Sequence, residues 1–424
     1  MSKRNFTLLI ISLVVLVITI FGWLYFSRPT VPTDGTDTED TNFLSRFNPF
    51  ASNPAPTPTP TPLPIDGEGG TATTPETVKL NKVSSVPVAG FTVFEKERFK
   101  EGEVPTEFVP ALRYADRATG NIYQTFADKL DERKFSNTTI PKVNEAYFGN
   151  SGTTVVMRYL KADDKTIQTF VGNLPKELLG ADTTEDNALT GSFLPDNITD
   201  VSLSSDALKI FYVWNTGENA STAIGTTMDL LSGKKIQIFD SAFTEWLTSW
   251  PNSKIITLTT KPAAQVPGHL YTLDLNTKSF TRAMGDINGL TTLTSPSGGL
   301  VLYSDNTLAL SIYNKNTRSS SSLGVRTLPE KCVWGSASDT VYCAVPTLAL
   351  GSEYPDLWYQ GEVSFIDQIW RIDTSTGVGE IISNPQAIEG GEAIDGIKLM
   401  LDNGENYLFF VNKKDSYLWK LNLK

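Results

Sequence analysis

The chain has little of the chemistry from which common catalytic sites are built. Its 424 residues include one histidine and two cysteines. Zinc-binding His-Glu-x-x-His, Cys-x-x-Cys, the Gly-x-Ser-x-Gly nucleophile elbow and the Gly-x-x-x-x-Gly-Lys-Ser/Thr phosphate loop are all missing from the sequence. The lone His269 therefore has no partner motif. We predict no catalytic residue, no metal site and no cofactor.

Basic residues are also in the minority. There are 36 Lys and Arg residues against 47 Asp and Glu residues, a net charge of −11. A surface that binds nucleic acid needs a basic stripe to neutralise phosphates, so we expect no nucleic-acid partner. Hydrophobic residues with the 3.6-residue spacing of helices are lacking as well, which excludes a helical solenoid.

One long hydrophobic segment stands at the N-terminus. Residues 6–26 carry no charge, and such a segment is long enough to cross a bilayer as a helix, at about 30 Å. Lys3 and Arg4 precede it, and no small-x-small cleavage site follows it. We therefore predict a cytoplasmic segment 1–5 and an uncleaved transmembrane helix 6–27, with the rest of a single-pass cell-membrane protein outside the cytoplasm. A cleaved signal peptide is the alternative.

Residues 28–77 are predicted to be a disordered linker. They are rich in Pro, Thr, Asp and Gly and have few large apolar residues, so burial cannot offset chain entropy. The alternating prolines of residues 54–62 favour extended polyproline II. The segment therefore forms a semi-rigid stalk.

A strand followed by a tight turn recurs through the remaining sequence. An Asp, Asn or Lys marks each turn at positions 116, 161, 229, 274, 314, 373 and 422. An Asp or Asn side chain there accepts hydrogen bonds from backbone amides two residues on, and Gly at the end tolerates positive φ. Spacings near 40–50 residues between short strands are typical of propeller blades. We predict an all-β, seven-bladed β-propeller over residues 78–424, with each marked turn closing the third strand of its blade.

The turns before the strands carry a family resemblance. Ser295-Pro296-Ser297-Gly298-Gly299 precedes the apolar strand 300–303, and similar turns precede strands 208–214 and 340–345. The pattern resembles the propellers of TolB-like and Trp-Asp-like repeat proteins, in which a Ser-Pro-Asp-Gly turn precedes an apolar strand. This resemblance implies the fold; no Trp-Asp dipeptide closes the blades.

The last copy of the repeat lacks a fourth strand, because the chain ends two residues after Asn422. An open sheet edge is a liability, and the segment 78–86 has a suitable length and composition to fill it. We predict that this N-terminal strand closes the ring. The stalk would then attach to one face, and the loops joining second to third strands would lie on the other, outward face.

Two long segments are predicted on that outward face. One is the acidic segment 174–197, and the other is the second-to-third strand loop 346–361. The second loop carries the candidate binding residues Tyr354, Asp356, Trp358 and Tyr359, and Trp and Tyr are common in binding hot spots. The alternative is a lid whose aromatic side chains pack over the central channel.

Cys332 and Cys343 flank a predicted hairpin turn centred on residues 337–338. This register places them opposite each other on neighbouring strands, close enough for a disulfide. Outside the cytoplasm such a pair is expected to be oxidised. Two reduced, buried thiols are the alternative.

These features favour a membrane-anchored propeller outside the cytoplasm. We predict a binding or scaffolding module for a cell-envelope protein or glycan. The alternative is a carboxylate-dependent glycoside hydrolase or lyase with its site at the channel mouth. A third possibility is a structural cell-wall protein. Propellers carry many activities, so the fold does not choose among these functions.

Overall fold

The structure is a computed structural model, and it describes residues 80–99, 106–176, 187–349, 351–388 and 391–424. The predicted transmembrane helix 6–27 and the whole predicted linker 28–77 lie outside these residues. Within them no helix is long and apolar enough to cross a membrane.

The described chain forms seven four-stranded antiparallel sheets. The strands, in chain order, are β1 (Leu80–Lys82); β2 (Val88–Phe99), β3 (Thr106–Asp116), β4 (Ile122–Phe126) and β5 (Arg133–Lys134) of blade 1; β6 (Val143–Gly149), β7 (Thr154–Leu160), β8 (Ile167–Asn173) and β9 (Thr190–Phe193) of blade 2; β10 (Ile198–Leu203), β11 (Lys209–Thr216), β12 (Thr222–Asp229) and β13 (Lys235–Ser241) of blade 3.

The later blades repeat this order. Their strands are β14 (Trp246–Asn252), β15 (Ile255–Thr260), β16 (Pro267–Asp274) and β17 (Phe280–Asn288) of blade 4; β18 (Thr291–Thr294), β19 (Leu300–Ser304), β20 (Ala309–Asn314) and β21 (Ser319–Arg326) of blade 5; β22 (Cys332–Trp334), β23 (Thr340–Pro346), β24 (Asp367–Asp373) and β25 (Gly379–Ser383) of blade 6; β26 (Gly396–Leu401), β27 (Tyr407–Asn412) and β28 (Leu418–Asn422) of blade 7. A four-residue helix, α1 (Asp356–Tyr359), lies between β23 and β24, and single 3₁₀ turns lie at Glu218–Ala220, Pro329–Lys331 and Pro385–Ala387.

The N-terminal strand closes the ring, as predicted. β1 pairs antiparallel with β28, with Leu80 opposite Leu421, and so becomes the outermost strand of blade 7. The backbone N–H of Val83 extends the contact between β1 and β28 by donating to Leu418 O at 2.7 Å. The paired segment is shorter than the predicted 78–86. This pairing covers the outer edge of β28.

Hydrophobic side chains fill the spaces between neighbouring sheets. Six of the seven interfaces contain a buried apolar cluster. Between blades 4 and 5 threonines meet instead, and the hydroxyls of Thr259 and Thr292 lie 2.6 Å apart. Outer strands are more polar because one edge faces solvent: the first four residues of β21 are exposed serines. The inner strands of blades 1 and 2 approach so closely that a Cβ at Gly90 would lie 1.9 Å from Ala146 O.

The recurring turn has the predicted hydrogen bonds. In blade 6, Asp373 Oδ1 accepts from the backbone N–H groups of Ser375 and Thr376 at 2.9 and 2.8 Å. Gly377 has φ 73° and donates to Asp373 O at 2.9 Å. Lys278 fills the glycine position with φ 57°. These bonds satisfy backbone groups that the sheet leaves unpaired.

The predicted strand position of this turn is wrong in the first two blades. The turns at Asp116 and Lys161 follow β3 and β7, which are second strands, whereas those at 229, 274, 314 and 373 follow third strands. The turn depends only on local hydrogen bonds, so it can join any two antiparallel strands.

Antiparallel order divides the connections between two faces. We call the face with the second-to-third strand loops and the blade-to-blade connections the upper face, and the other the lower face. The loop 347–366 lies on the upper face, as predicted. The segment 174–189 joins β8 to β9, the third and fourth strands of blade 2, so its prediction for the outward face is wrong. Its acidic residues 177–186 lie outside the described residues.

A disulfide links Cys332 of β22 to Cys343 of β23, which are directly opposed in the ladder. Both residues are buried in the apolar cluster between blades 5 and 6. The hairpin turn at residues 335–339 therefore has the predicted register.

The pairing of β1 with β28 predicts an effect of mutation on the stability of the propeller. Leu80 is 6% exposed and packs in the cluster between blades 6 and 7, so Leu80→Ala should lower the free energy of unfolding by about 2–3 kcal/mol. Leu231→Ala, at a site that is 67% exposed, should change it by less than about 0.5 kcal/mol. Urea unfolding curves of both variants measure this difference. Equal curves would contradict closure by β1.

Candidate functional site

The loop between β23 and β24 crosses the upper face. We call residues 347–349 and 351–366 the strap. Asp356 Oδ2 accepts from Ala264 N of blade 4 at 3.1 Å, and Tyr354 N donates to Asn306 O of blade 5 at 3.2 Å. Lys413 Nζ of blade 7 donates to Trp358 O. The strap therefore contacts blades 4, 5 and 7 as well as its own blade.

The strap is held by its aromatic side chains. Tyr354 and Trp358 are 3% and 4% exposed and pack with Leu308, Leu328 and Phe365. The Lys413 ammonium lies 3.8 Å from the centre of the Trp358 ring, a cation–π contact. Two of the predicted binding residues are thus packed inside the strap, and neither is available to a partner in this conformation.

Beneath Trp358 lies a buried ionic cluster of one lysine and two aspartates. Lys331 precedes β22, Asp367 begins β24 and Asp395 precedes β26, and all three side chains are fully buried. Lys331 Nζ donates to Asp367 Oδ2 at 2.8 Å and also to Asp395 Oδ1. Trp358 Nε1 donates to Asp395 Oδ2 at 2.9 Å. The cluster joins blade 6, blade 7 and the strap.

The pKa values of the two aspartates in this cluster are shifted in opposite directions. Burial raises the pKa of Asp367, against the opposing attraction of Lys331. Burial also acts to raise the pKa of Asp395, but Lys331 and the hydrogen bonds from Phe365 and Trp358 outweigh it, so this pKa is lowered. Removing one partner from such a cluster leaves a buried charge uncompensated, which costs several kcal/mol, roughly 3–5.

The channel mouth on the upper face is lined by residues at equivalent positions of the inner strands. Glu145, Asp200, Thr248 and Lys398 are each the third residue of their strand, in blades 2, 3, 4 and 7. The ladder register shifts at or beside this position in three of these strands, β6, β10 and β26. A β-bulge changes the direction in which a side chain points. The bulges therefore turn these polar groups away from the apolar interfaces between blades.

Arg158 connects two of the blades at the mouth. Its Nη1 forms an ion pair with Glu145 Oε2, and its Nη2 donates to Ile198 O of blade 3 at 2.6 Å. Tyr147 OH donates to the same Glu145 oxygen at 3.2 Å. Arg158 Nε has no hydrogen-bond partner in the described part of the chain.

Asp200 is a carboxyl group at the mouth with a raised pKa. Its Oδ2 accepts from Thr248 N at 2.5 Å. The side chain keeps some contact with solvent, yet protein surrounds it, and this burial raises its pKa to about 6 against the hydrogen bonds from Thr248 and the charge of Arg158. Asp200 can therefore gain or lose a proton near neutral pH.

Tyr359 extends from α1 towards the same mouth. It is 38% exposed, and its hydroxyl donates to Glu330 Oε1 at 2.5 Å. Burial, followed by the charge and hydrogen bond of Glu330 and the charge of Asp200, raises the pKa of Tyr359 well above its usual value. Burial likewise raises the pKa of Glu330. The charge of Asp200 on blade 3 thus acts on Tyr359 on blade 6.

The mouth therefore brings together carboxylates, cations and one exposed aromatic ring. Of the four predicted binding residues, the structure places Tyr359 at the mouth, Asp356 in a contact with blade 4, and Tyr354 and Trp358 in the core of the strap. Glu145, Arg158, Asp200, Glu330 and Lys398 were not singled out from the sequence. Glu145, Asp200 and Lys398 share one signal, a polar residue at the third position of an inner strand, and Arg158 and Glu330 do not have it.

Neither metal ligation nor a second cleft offers a better site in the described residues. In the described ranges no group of three or more His, Cys, Asp or Glu side chains could hold a metal ion. A cleft beside blades 6 and 7 is lined by Ser336, Arg371, Glu380 and Glu405. These side chains already pair with each other, Arg371 with Glu380 at 3.6 Å and Ser336 Oγ with Glu405 at 2.8 Å. The channel mouth is the better candidate, because its groups come from several blades.

Comparison with known proteins gives limited information. No protein-family model and no curated protein matches the sequence. Two similar solved structures are an oligogalacturonate lyase from Vibrio parahaemolyticus, with a TM-score of 0.45, and an oligogalacturonate lyase in complex with manganese, with a TM-score of 0.47. Each is 8% identical and covers 80% of this chain and 99% of its own.

Likeness at this level carries no argument about function. The resemblance stated from the sequence is confirmed as far as the seven-bladed propeller fold, which the strand order of this chain itself shows.

The raised pKa of Asp200 predicts a pH effect on stability. A folded pKa of about 6 against about 3.9 in the unfolded chain means that the folded state holds the proton more tightly. This contribution is fully present below about pH 4 and is lost as pH rises through 6. Asp200→Asn should therefore gain stability relative to the wild type between pH 4 and 7, measured by urea unfolding.

Asp373→Asn serves as the opposite control. Hydrogen bonds from Ser375 and Thr376 lower the pKa of Asp373 to about 2, so its contribution is present above about pH 4 and is lost as pH falls towards 2. Relative to the wild type, this variant should lose stability as pH rises from 2 to 4. If the free energy of unfolding of Asp200→Asn changes with pH in parallel with that of the wild type, the pKa of Asp200 is not raised.

Proposed function

We propose that the propeller is a binding module and that its ligand is a hydroxyl-rich glycan of the cell envelope, bound at the channel mouth. The observation that supports this most is the convergence of polar side chains from blades 2, 3, 4, 6 and 7 at one end of the axis. Sites for small ligands commonly combine a preformed concave surface with a few convergent polar groups.

The chemistry of the mouth fits sugar hydroxyls. Ionised carboxylates accept hydrogen bonds only, and Arg and Lys donate only, so the mouth presents both complements to hydroxyl groups. The half-exposed ring of Tyr359 adds an apolar face next to them. Three carboxylates stand against Arg158 and Lys398, which favours neutral over strongly acidic polysaccharides.

Catalysis on carbohydrate is the second candidate function. It is favoured by Asp200, because a carboxyl group with a pKa of about 6 is suited to general acid or base catalysis near neutral pH. Glu145 provides a second carboxylate, and its charge acts on the pKa of Asp200. Glycoside hydrolysis usually uses a pair of carboxyl groups.

The location outside the cytoplasm also stays a proposal. It is supported by the hydrophobic segment 6–26 after Lys3 and Arg4, and by the Cys332–Cys343 disulfide, because disulfides persist in oxidising compartments. The membrane anchor and the envelope partner depend on this location. Protease added to intact cells should digest the propeller, and complete protection in cells with a permeable outer layer would contradict it.

A panel of polysaccharides offered to the purified protein tests both functions. We expect at least one neutral polysaccharide to bind, and Tyr359→Phe and Asp200→Asn to weaken binding by at least about tenfold, because they remove hydrogen-bonding groups at the mouth. Calorimetry measures the affinity, and mass spectrometry of the polysaccharide measures cleavage. Cleavage that Asp200→Asn abolishes would support the enzyme.

Leu231→Ala, in the turn between β12 and β13 on the lower face, is the matched control and should bind as the wild type does. Binding that none of the mouth variants alters would place the ligand elsewhere. A protein partner captured from the envelope in the absence of any polysaccharide binding would contradict the glycan proposal.

A further inference from the structure

The buried cluster of Lys331, Asp367 and Asp395 has the arrangement of a self-reacting site. We propose that Lys331 and Asp395 condense to form an intramolecular isopeptide bond, with Asp367 as the group that relays the proton. The product would be a covalent link between blade 6 and blade 7.

The reacting groups are in contact. Lys331 Nζ donates a hydrogen bond to Asp395 Oδ1. This oxygen is bonded to the carboxyl carbon that the amine would attack, so the two reacting atoms are neighbours. All three side chains are fully buried. Holding two reactants in one geometry replaces an encounter between separate molecules and removes much of the entropic barrier.

Aromatic rings shield the reacting groups from water. The Trp358 and Phe365 rings lie 5.3 and 5.2 Å from Lys331 Nζ, and no water-exposed surface remains on the three side chains. The attack needs a neutral amine, and proton transfer from the ammonium to the Asp395 carboxylate supplies it. The transfer removes two buried charges, but it works against the lowered pKa of Asp395. The transfer follows the existing hydrogen bond and leaves a neutral amine beside a neutral carboxylic acid.

Asp395 Oδ2 lies in a pocket of donors. Trp358 Nε1 donates to it at 2.9 Å, Phe365 N at 3.0 Å and Ser364 Oγ at 3.3 Å. Attack by the amine on the Asp395 carboxyl carbon breaks the C=O double bond and puts negative charge on this oxygen. Preorganised donors at the site of developing charge are the main feature of an oxyanion hole. The same set of donors does not surround the carboxyl group of Asp367, which makes Asp395 the electrophile.

Asp367 is placed to move the proton. Its Oδ2 accepts from Lys331 Nζ at 2.8 Å and from Gly396 N at 2.7 Å, and its Oδ1 has no hydrogen-bond partner within the described residues. Burial raises its pKa, which suits a carboxylate that accepts a proton. After the attack it takes one proton from the nitrogen and returns it to Asp395 Oδ1, which already carries the first. Oδ1 leaves as water, and the charge on Oδ2 collapses to the amide carbonyl.

Mass spectrometry of the full-length protein tests the bond. After reduction and complete denaturation, a tryptic digest should contain a branched peptide that joins residues 327–371 to residues 372–398, one water lighter than the two together, with no cleavage after Lys331. Separate peptides with cleavage after Lys331 would overturn the proposal. Loss of water confined to the linear peptide 372–398 would overturn it as well, because the Asp395-Gly396 pair can itself dehydrate to a succinimide.

Three variants make the test specific. Lys331→Arg removes the attacking amine and should give only linear peptides. Asp395→Asn keeps an electrophilic carbonyl, so any branched peptide that it forms should be lighter by one ammonia instead of one water. Asp367→Asn should abolish the link or slow it by at least about a hundredfold, the lower end for one general acid–base group. If this variant forms the link as fast as the wild type, the relay through Asp367 is wrong. The wild-type digest decides the bond itself even if a variant fails to fold.

Discussion

The geometry of the channel mouth depends on the buried contact between Lys331, Asp395 and Trp358. This contact fixes the strap to the ends of two inner strands, β22 and β26, and positions Tyr359 beside Glu330. Buried ion pairs do not always add stability, but a wrong partner leaves a charge uncompensated, so they specify one arrangement. The strap is therefore better described as a fixed part of the mouth than as a loose lid.

The position of the strap separates its aromatic residues into two groups with different roles. Trp358 and Tyr354 occupy the core of a small hydrophobic cluster above the channel, which is the lid arrangement considered from the sequence. Tyr359 remains partly exposed next to the carboxylates. The lid interpretation therefore applies to Tyr354 and Trp358, which hold the strap in place. The binding interpretation applies only to Tyr359, which faces the space where a ligand would bind.

Much of the fold could be predicted because its signals are local. Alternating hydrophobicity marks each strand, and the Asp turn forms its hydrogen bonds within five residues, so the blades and the closing strand followed from the sequence. The sequence did not predict that the first two turns follow second strands, because the same turn can join any pair of antiparallel strands. The mouth was not predictable at all. Glu145, Asp200 and Lys398 are far apart in sequence, and only the ring and the bulges in its inner strands bring them to one end of the axis.

Hydrogen–deuterium exchange at the strap tests this account most directly. The backbone N–H of Phe365 donates to the buried Asp395, and that of Val363 donates to Leu357 O at 3.1 Å. A fixed strap predicts that the Phe365 amide exchanges as slowly as the amides of the central strand β27, through global opening of the propeller. Exchange of Phe365 as fast as that of exposed turn residues such as Leu231 would contradict it, and the mouth would then not be preformed.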